Sequence, residues 1–471
     1  MSNEVAKPRM KKSKKTAFDT PYTVQNAIQK GGMTTKLSML VMGLGNLAHK
    51  QIAKGIIFLA IEVAYLWFMI AQGIHCIAML PSLGWLEQEE VWNEAKGVYE
   101  YTAGHNSIII LLYGVATIFI TIGFVIMWRG TLKSAYKVEC LAREGKHINS
   151  FKDDIAELFD GNLHRSLMTL PILGIIIFTI LPLVFMILMA FTNYSKETSS
   201  EAAHLVLFDW VGLKNFGTAL STDNSIGQNF WSVLGWTIVW AIFATFTNYI
   251  LGMILAMVIN RKDTKAKGFW RFCFVLSVAV PQFVSLLIMR TMLQPEGAVN
   301  ILLRNLGFLE AGQSLPFFTK PIWARVTVIV INIWVGIPFT MLQTTGILKN
   351  IPAELYESAK VDGANAFVTF FKITLPYMLF VTTPYLITTF TGNINNFNII
   401  YLLSGGGPTI RPGDTAGKTD LLVTWLYKLT VDKQYYNIGA VIGILTFVVL
   451  AIISLVTYRN TGSYKNEEEF Q

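Results

Sequence analysis

The sequence predicts an all-α polytopic membrane protein with eight transmembrane helices, and three observations carry that prediction. Of the 471 residues, 53% are hydrophobic and only 14% are charged, with a mean hydropathy of +0.47, whereas soluble domains carry about 25% charged residues. The apolar residues are gathered into runs long enough to cross a bilayer, which takes about 20 residues. The cations behind the net charge of +8 sit at the ends of those runs, where they act as orientation signals.

Taken in order, the spans read at 53–74, 107–128, 167–191, 230–259, 269–292, 323–342, 373–397 and 438–458. The first fifty residues are polar or weakly apolar, so no cleavable signal peptide is expected there. Residues 33–50 are short and broken by Gly43, Gly45 and Asn46, which suits an interfacial helix better than a ninth span. An even number of spans puts both termini on one side. The tail with Lys7, Arg9, Lys11, Lys12, Lys14 and Lys15 is then cytoplasmic. So are the loops with Arg129, Lys133, Lys137, Arg143 and Lys146 and with Arg261, Lys262, Lys265 and Lys267. Both termini are expected to be cytoplasmic. The acidic loop with Glu87, Glu89, Glu90, Glu94 and Glu100 lies outside. Trp128 with Arg129 and Tyr458 with Arg459 anchor helix ends at the interface, and 145–165 reads as an amphipathic helix.

Several function classes lack their parts. The basic tail carries no interleaved aromatic residues for stacking on bases, so no nucleic acid is expected as a partner. Cys76, Cys140 and Cys273 match no metal spacing, and the six histidines include no HExxH pair. Neither a catalytic set nor a metal site is expected, and Arg290 lies near enough to a helix end to snorkel. Residues 413–419 approach a phosphate-binding loop but are one residue short and lack a preceding strand, so an ordered loop is the better reading. Neither internal repeats nor buried carboxylates, the marks of an ion-coupled secondary sugar transporter, are evident.

The segment Ile351 to Pro376 is the most informative. Pro352 suits a helix start, and Glu354 and Glu357 suit the positive end of its dipole. Gly363 marks a turn, and Ile373 to Pro376 lead a second helix into the membrane. Small Ala359, Gly363 and Ala364 would let another protein approach closely. This segment resembles the EAA loop of ABC importer permeases, with Ser358 replacing the middle alanine. The extended run through Leu355, Tyr356, Glu357, Asp362-Gly363-Ala364 and Phe370 to Pro376 is similar to the carbohydrate branch, in particular to MalF-type maltose and maltodextrin permeases. The likeness covers most of 165–460.

That resemblance implies a type I ABC importer permease fold and a cytoplasmic loop seated on a separate ATPase subunit. Glu357, Ser358, Ala359, Asp362 and Gly363 would make the coupling contact. The chain would need no cofactor of its own, since ATP and Mg belong to the partner ATPase. The implied partners are a second, homologous permease subunit, an ATPase homodimer, an extracytoplasmic sugar-binding protein, the oligosaccharide and membrane lipid.

Polar groups inside apolar helices are costly unless partnered or wetted. In the sixth span Asn332, Gly336 and Phe339 fall at i, i+4 and i+7 with Val335 beside them, and Pro338 is expected to loosen the helix. In the seventh, Thr389, Gly392, Asn393 and Asn396 form a stripe that Phe397 follows. Sugars bind through amide hydrogen bonds and aromatic rings. The run Asn393 to Phe397 and the later Gly405-Gly406-Gly407-Pro408 resemble the maltose-permease pattern. The resemblance implies that Asn332, Val335, Gly336, Phe339, Thr389, Gly392, Asn393 and Asn396 line the sugar path. Gly392 and Phe339 depart from it, standing where maltose-specific members can carry phenylalanine and tyrosine, so another oligosaccharide remains open. Interhelical packing is the alternative use of these residues.

The expected organisation is a basic tail and interfacial helix at 1–52, and two spans with an amphipathic linker at 53–166. A six-span permease core at 167–458 follows, with its coupling loop at about 343–372, and then a cytoplasmic tail at 459–471. The loop at 192–229 is too short to hold the large folded insertion that some family members carry there, and its segment Asp209 to Phe216 resembles the short one of sugar permeases. The loop at 398–437 is long enough to reach a binding protein. The whole reads as a multi-pass protein of a bacterial cell membrane.

Overall fold

The computed structural model describes residues 22–196, 206–261, 263–411 and 413–459. Lys7 to Lys15, Lys262 and the tail beyond Arg459 lie outside these residues. Among the described residues seven helices are long and apolar enough to cross a membrane: Ile52–Met79, Ser107–Arg143, Leu163–Met189, Ser225–Asn260, Pro321–Leu348, Ala366–Ser404 and Tyr436–Arg459. The fifth expected span, the one missing from these seven, is a bent pair, Lys267–Ala279 and Gln282–Met292, that turns through 86°. The straight helix expected at 269–292 is therefore broken. Pro281 lacks a backbone N–H and disfavours helical geometry at the residue before it, and Val280 is accordingly extended at φ −75° and ψ 128°.

The chain divides into two compact units, with the boundary at Phe185 and Met186 inside the third span. In the first unit, residues 33–50 form two short helices, Met33–Leu37 and Leu44–Ala48, rather than one. Gly43 between them adopts φ +83°, and its ideal Cβ would lie 2.4 Å from the Gly55 carbonyl oxygen, so backbone meets backbone against the first span. This turn gives the Met42 N–H to the Glu62 carboxylate at 2.7 Å. Glu62 is a buried carboxylate within the first span, contrary to the expectation of none. It has a structural partner there. Glu139 is likewise buried and accepts from Gly32 N (2.8 and 2.9 Å), Thr35 and Arg143, tying the N-terminal helices to the second span.

The acidic loop folds into a two-stranded antiparallel hairpin, Glu90–Asn93 with Val98–Tyr101, so the structure is not purely helical. Trp92 faces Tyr99 across it. The amphipathic helix forms at Phe151–Phe159, closed by a capping box in which Ser150 and Asp153 exchange hydrogen bonds.

In the second unit, the fourth and sixth spans approach closely. An ideal Cβ on Gly252 would lie 2.6 Å from Thr340 Cβ, a closeness only glycine permits. The core beside them packs Trp236, Trp240, Val328 and Ile331 against Ile399, Ile400 and Leu403. The loop after the seventh span is ordered by Asp420, fully buried, which accepts from Lys428 Nζ (2.7 Å), Gly417 N (2.6 Å) and Thr424 Oγ1 (2.9 Å). Burial pushes the Asp420 carboxyl above its ordinary pKa, and the Lys428 ammonium opposes that shift. Gly417 packs on Gly406, and Lys418 N donates to the Pro408 carbonyl, so 413–419 is an ordered loop as expected. Asp420→Ala strands a largely buried lysine, which typically costs about 3–5 kcal/mol. A thermal unfolding midpoint in detergent well below wild type is expected, and an unchanged midpoint would show that the pair holds nothing.

Candidate functional site

The site builds from three local departures from regular helix. The fourth span carries a wide π-turn at Phe243–Thr247, a feature that re-aims side chains inside helices. It presents Thr245 and, one residue beyond, Asn248. The break before Gln282 brings that amide to the same place. The seventh span is interrupted after Ile394, and its helix restarts as Phe397–Ser404 with Asn396 as N-cap, the Asn396 oxygen accepting from Ile399 N at 3.3 Å.

These departures and the sixth span surround a cavity of about 230 Å³. Seven of the eight residues expected on the sugar path line it: Asn332, Val335, Gly336, Phe339, Thr389, Asn393 and Asn396. Gly392 does not. It is exposed, and a Cβ built on it meets nothing within 4 Å. A second cavity of about 340 Å³ shares Gln282, Val335, Gly336 and Phe339 and adds Trp334, Ser277 and Ser285. Phe339, half exposed, thus forms a wall common to both.

The polar groups fall into two sets. Asn393 and Asn396 are held by the protein: Asn393 Nδ2 donates to Thr245 Oγ1 (3.0 Å), Asn393 Oδ1 accepts from Asn396 Nδ2 (3.3 Å), and Trp240 Nε1 donates to the Asn393 carbonyl (3.1 Å). By contrast, Asn332 Nδ2 and Asn248 Oδ1 are buried atoms without a hydrogen-bond partner among the described residues. An unsatisfied buried amide atom costs about 1–3 kcal/mol. Both amides line the cavity.

Sequence reasoning missed Thr245, Asn248, Gln282 and Tyr385, which also line the cavity. The run Thr245-Phe246-Thr247-Asn248-Tyr249 is the polar interruption of the fourth span, and that was the signal to be found. Its importance shows at Gly336, where an ideal Cβ would sit 2.2 Å from Asn248 Nδ2. Gly336 makes room for that amide. Pro338 lies inside the sixth span, which continues as helix through it.

Between the sixth and seventh spans, helix Ala353–Val361 begins one residue after Pro352, which serves as its N-cap rather than its first turn. Gly363 at φ +73° closes it. Its N–H donates to the Lys360 carbonyl (3.2 Å), and Ala364 N donates to the Ala359 carbonyl (2.9 Å), the paired bonds of a Schellman motif. Glu357, Ser358, Asp362 and Gly363 are exposed, whereas Ala359 is only 8% exposed and faces this chain's own core. Leu355, Val361 and Phe367 are apolar and exposed beside them. Ile351 inserts into a core with Tyr249, Met253, Met378 and Leu386, and the Tyr356 and Thr374 hydroxyls bond at 3.1 Å.

A helical membrane protein whose polar side chains converge on a cavity between its spans, and which offers an exposed helix between two of them, is a permease of the multi-pass class. Residues 248–461 match the family described as the binding-protein-dependent transport system inner membrane component. The maltodextrin transport system permease protein MdxF of Bacillus subtilis is 33% identical over 95% of this chain and 99% of its own length. The galactooligosaccharides transport system permease protein GanP of the same organism is 34% identical over 92% of this chain and 98% of its own. The maltose/maltodextrin permease protein MalF of Escherichia coli is 37% identical over 53% of this chain and 49% of its own. The chain belongs to this family, as a MalF-type sugar permease subunit of an ABC importer resident in the inner membrane.

Three variants separate solute contact from packing. Gly336→Ala displaces the Asn248 amide without touching backbone, so solute uptake is expected to fall about tenfold or more while the assembled complex is recovered in normal yield; normal uptake would remove Asn248 from the site. Asn396→Ala loses a helix cap, which costs about 1 kcal/mol, and Asn396→Ser restores it. If Ser rescues thermal stability but not uptake, the Asn396 amide contacts solute. If it rescues both, capping is its whole role.

Proposed function

We propose that this permease moves maltodextrin-type oligosaccharides into the cytoplasm, with Asn332, Val335, Gly336, Phe339, Thr389, Asn393 and Asn396 along the path and Asn248 and Gln282 added to them. The observation that carries this reading is the convergence of amides and Phe339 on one cavity. Amide pairs match the vicinal hydroxyls of a glucan, and an aromatic face covers its C–H surface.

In this reading both termini are cytoplasmic, as the basic loops require, and residues 167–458 form the permease core. The helix Ala353–Val361 docks on a separate ATPase dimer, which holds ATP and Mg; this chain carries no ATPase site of its own. Glu357, Ser358, Asp362 and Gly363 make the contact, Leu355, Val361 and Phe367 bury against the ATPase, and Ala359 fastens the helix to this chain. The helix lies between the two spans that carry most of the site, so a push on it reaches both. The family description implies a solute-binding protein, which the loop at 398–437 is long enough to reach. A second, homologous permease completes the path.

The comparable likeness to a galactooligosaccharide permease favours a second reading, in which the substrate is a galactoside. Uptake of linear maltodextrins and of galactooligosaccharides by cells lacking only this chain, with and without its restoration, decides between them; restored uptake of neither rejects both. For the orientation, a cysteine at Ser358 in a background without the three native cysteines is expected to react with an impermeant maleimide in inverted vesicles and not in intact cells. Gly363→Val is expected to abolish sugar-driven ATP hydrolysis, because φ +73° excludes a β-branched residue.

A further inference from the structure

Away from the solute path, the first unit holds a cavity of about 530 Å³ formed by the first span, the second span and helix Phe151–Phe159. Its walls differ in character. Ile57 and Phe58 of the first span and Phe151, Ile155 and Leu158 of the amphipathic helix make an apolar side. That helix buries none of its residues within the chain, and Phe151 and Leu158 are each about half exposed. Opposite them, Lys133 and Lys137 stand one turn apart on the second span, on the same helix face.

The charges of the cavity are not equally engaged. Lys54 is paired with Asp154 at 3.1 Å. Glu157, the other carboxylate there, accepts from Asn149 (3.0 Å) and Asn162 (3.1 Å). Among the described residues neither Lys133 nor Lys137 is paired with a carboxylate, and with Lys54 they set three cations against Asp154 and Glu157, which leaves the cavity a net positive charge. Its height in the membrane is also defined. Lys54 lies two residues into the first span, and Lys133 and Lys137 lie just past Trp128 and Arg129, the interfacial end of the apolar run.

We propose that this cavity binds the phosphodiester headgroup of an anionic phospholipid, with the phosphate between Lys133 and Lys137 and the acyl chains leaving along Ile57, Phe58 and the amphipathic helix. A basic pocket between membrane helices is the kind of site that takes such headgroups. A soluble phosphate would be served by the two lysines alone, and the apolar wall fits only a ligand that carries hydrocarbon with it. The lipid fastens helix Phe151–Phe159 to the ends of the first two spans. Assignment to the cytoplasmic leaflet rests on the orientation proposed above, but occupancy of the site does not.

The assembled transporter in detergent, where leaflet plays no part, is titrated with phosphatidylglycerol and with phosphatidylcholine of the same acyl chains and read by native mass spectrometry. Wild type is expected to retain phosphatidylglycerol at least tenfold better. K133Q/K137Q is expected to lose roughly 30-fold in phosphatidylglycerol affinity, the factor two lysines supply near an anionic headgroup, and K133R/K137R is expected to keep the preference. Equal retention of the two lipids by wild type overturns the proposal, whatever the variants do. So does an undiminished preference in assembled K133Q/K137Q. Displacement of the lipid by an equal concentration of inorganic phosphate overturns the lipid assignment in favour of a free anion. Sugar uptake is not the readout, so failure here leaves the solute path untouched.

Discussion

Hydrocarbon offers no hydrogen bonds, so every polar group carried into the membrane must be satisfied by the protein or by what passes through it. That constraint organises this structure. Most of the polar residues in the spans obey it locally: threonines along the sixth and seventh spans return their hydroxyls to carbonyls one turn earlier, as Thr344 does to Thr340 O (2.8 Å) and Thr382 to Met378 O (2.6 Å). Glu62 obeys it through Met42 N, and Asn393 through Thr245. Among the described residues six buried side-chain atoms lack a partner, and two of them, Asn248 Oδ1 and Asn332 Nδ2, fall on one cavity. On the function proposed above, a hydrogen-bonding cargo would supply at this cavity what the chain withholds.

The same constraint explains why irregular backbone is confined as it is. The extended residues at Val280 and Pro281, the π-turn at Phe243–Thr247 and the cap at Asn396 all lie beside the cavities. Broken helices at membrane depth are tolerated where they are buried in protein or line a wet path. Each break also turns a side chain that regular helix would direct elsewhere: Gln282 after Pro281, Thr245 within the wide turn, Asn396 at the restart.

What was legible in the sequence is what repeats with helical period. The stripe of Asn332, Gly336 and Phe339 at i, i+4 and i+7 survives as a cavity wall because the sixth span stays helical through Pro338. The stripe of the seventh span is legible only in part, since Gly392 belongs to it by spacing yet turns away from the cavity. The break at Pro281 left a local signal, but the flanking apolar run is long enough to disguise it as one span. The hairpin at Glu90–Asn93 and Val98–Tyr101 has strands of four residues each, too short for an alternation to stand out among glutamates. Glu62 was not legible as a structural carboxylate, because its partner, the Met42 amide, is 20 residues away and is brought near by the left-handed turn at Gly43.

Coupling between the exposed helix and the cavity then becomes a question of which segments transmit displacement and which absorb it. From Phe339 to Leu348 the sixth span runs nine residues, about 14 Å of helix, before the chain reaches Ile351. Ile351 is locked into a core with residues of the fourth and seventh spans, and Tyr356 is bonded to Thr374 at the head of the seventh. A packed core of this kind moves as a body, since close-packed side chains transmit strain rather than deform. Compliance is left to the places where helix hydrogen bonding is already interrupted. These are Pro338 in the sixth span, the π-turn Phe370–Thr374 and Pro384 in the seventh. Pro338 falls directly beside Phe339, and Pro384 beside Tyr385, both cavity residues. If the exposed helix is pushed as proposed above, the displacement would be released beside the cavity wall, and the close contact of Gly252 with Thr340 would carry the fourth span with the sixth.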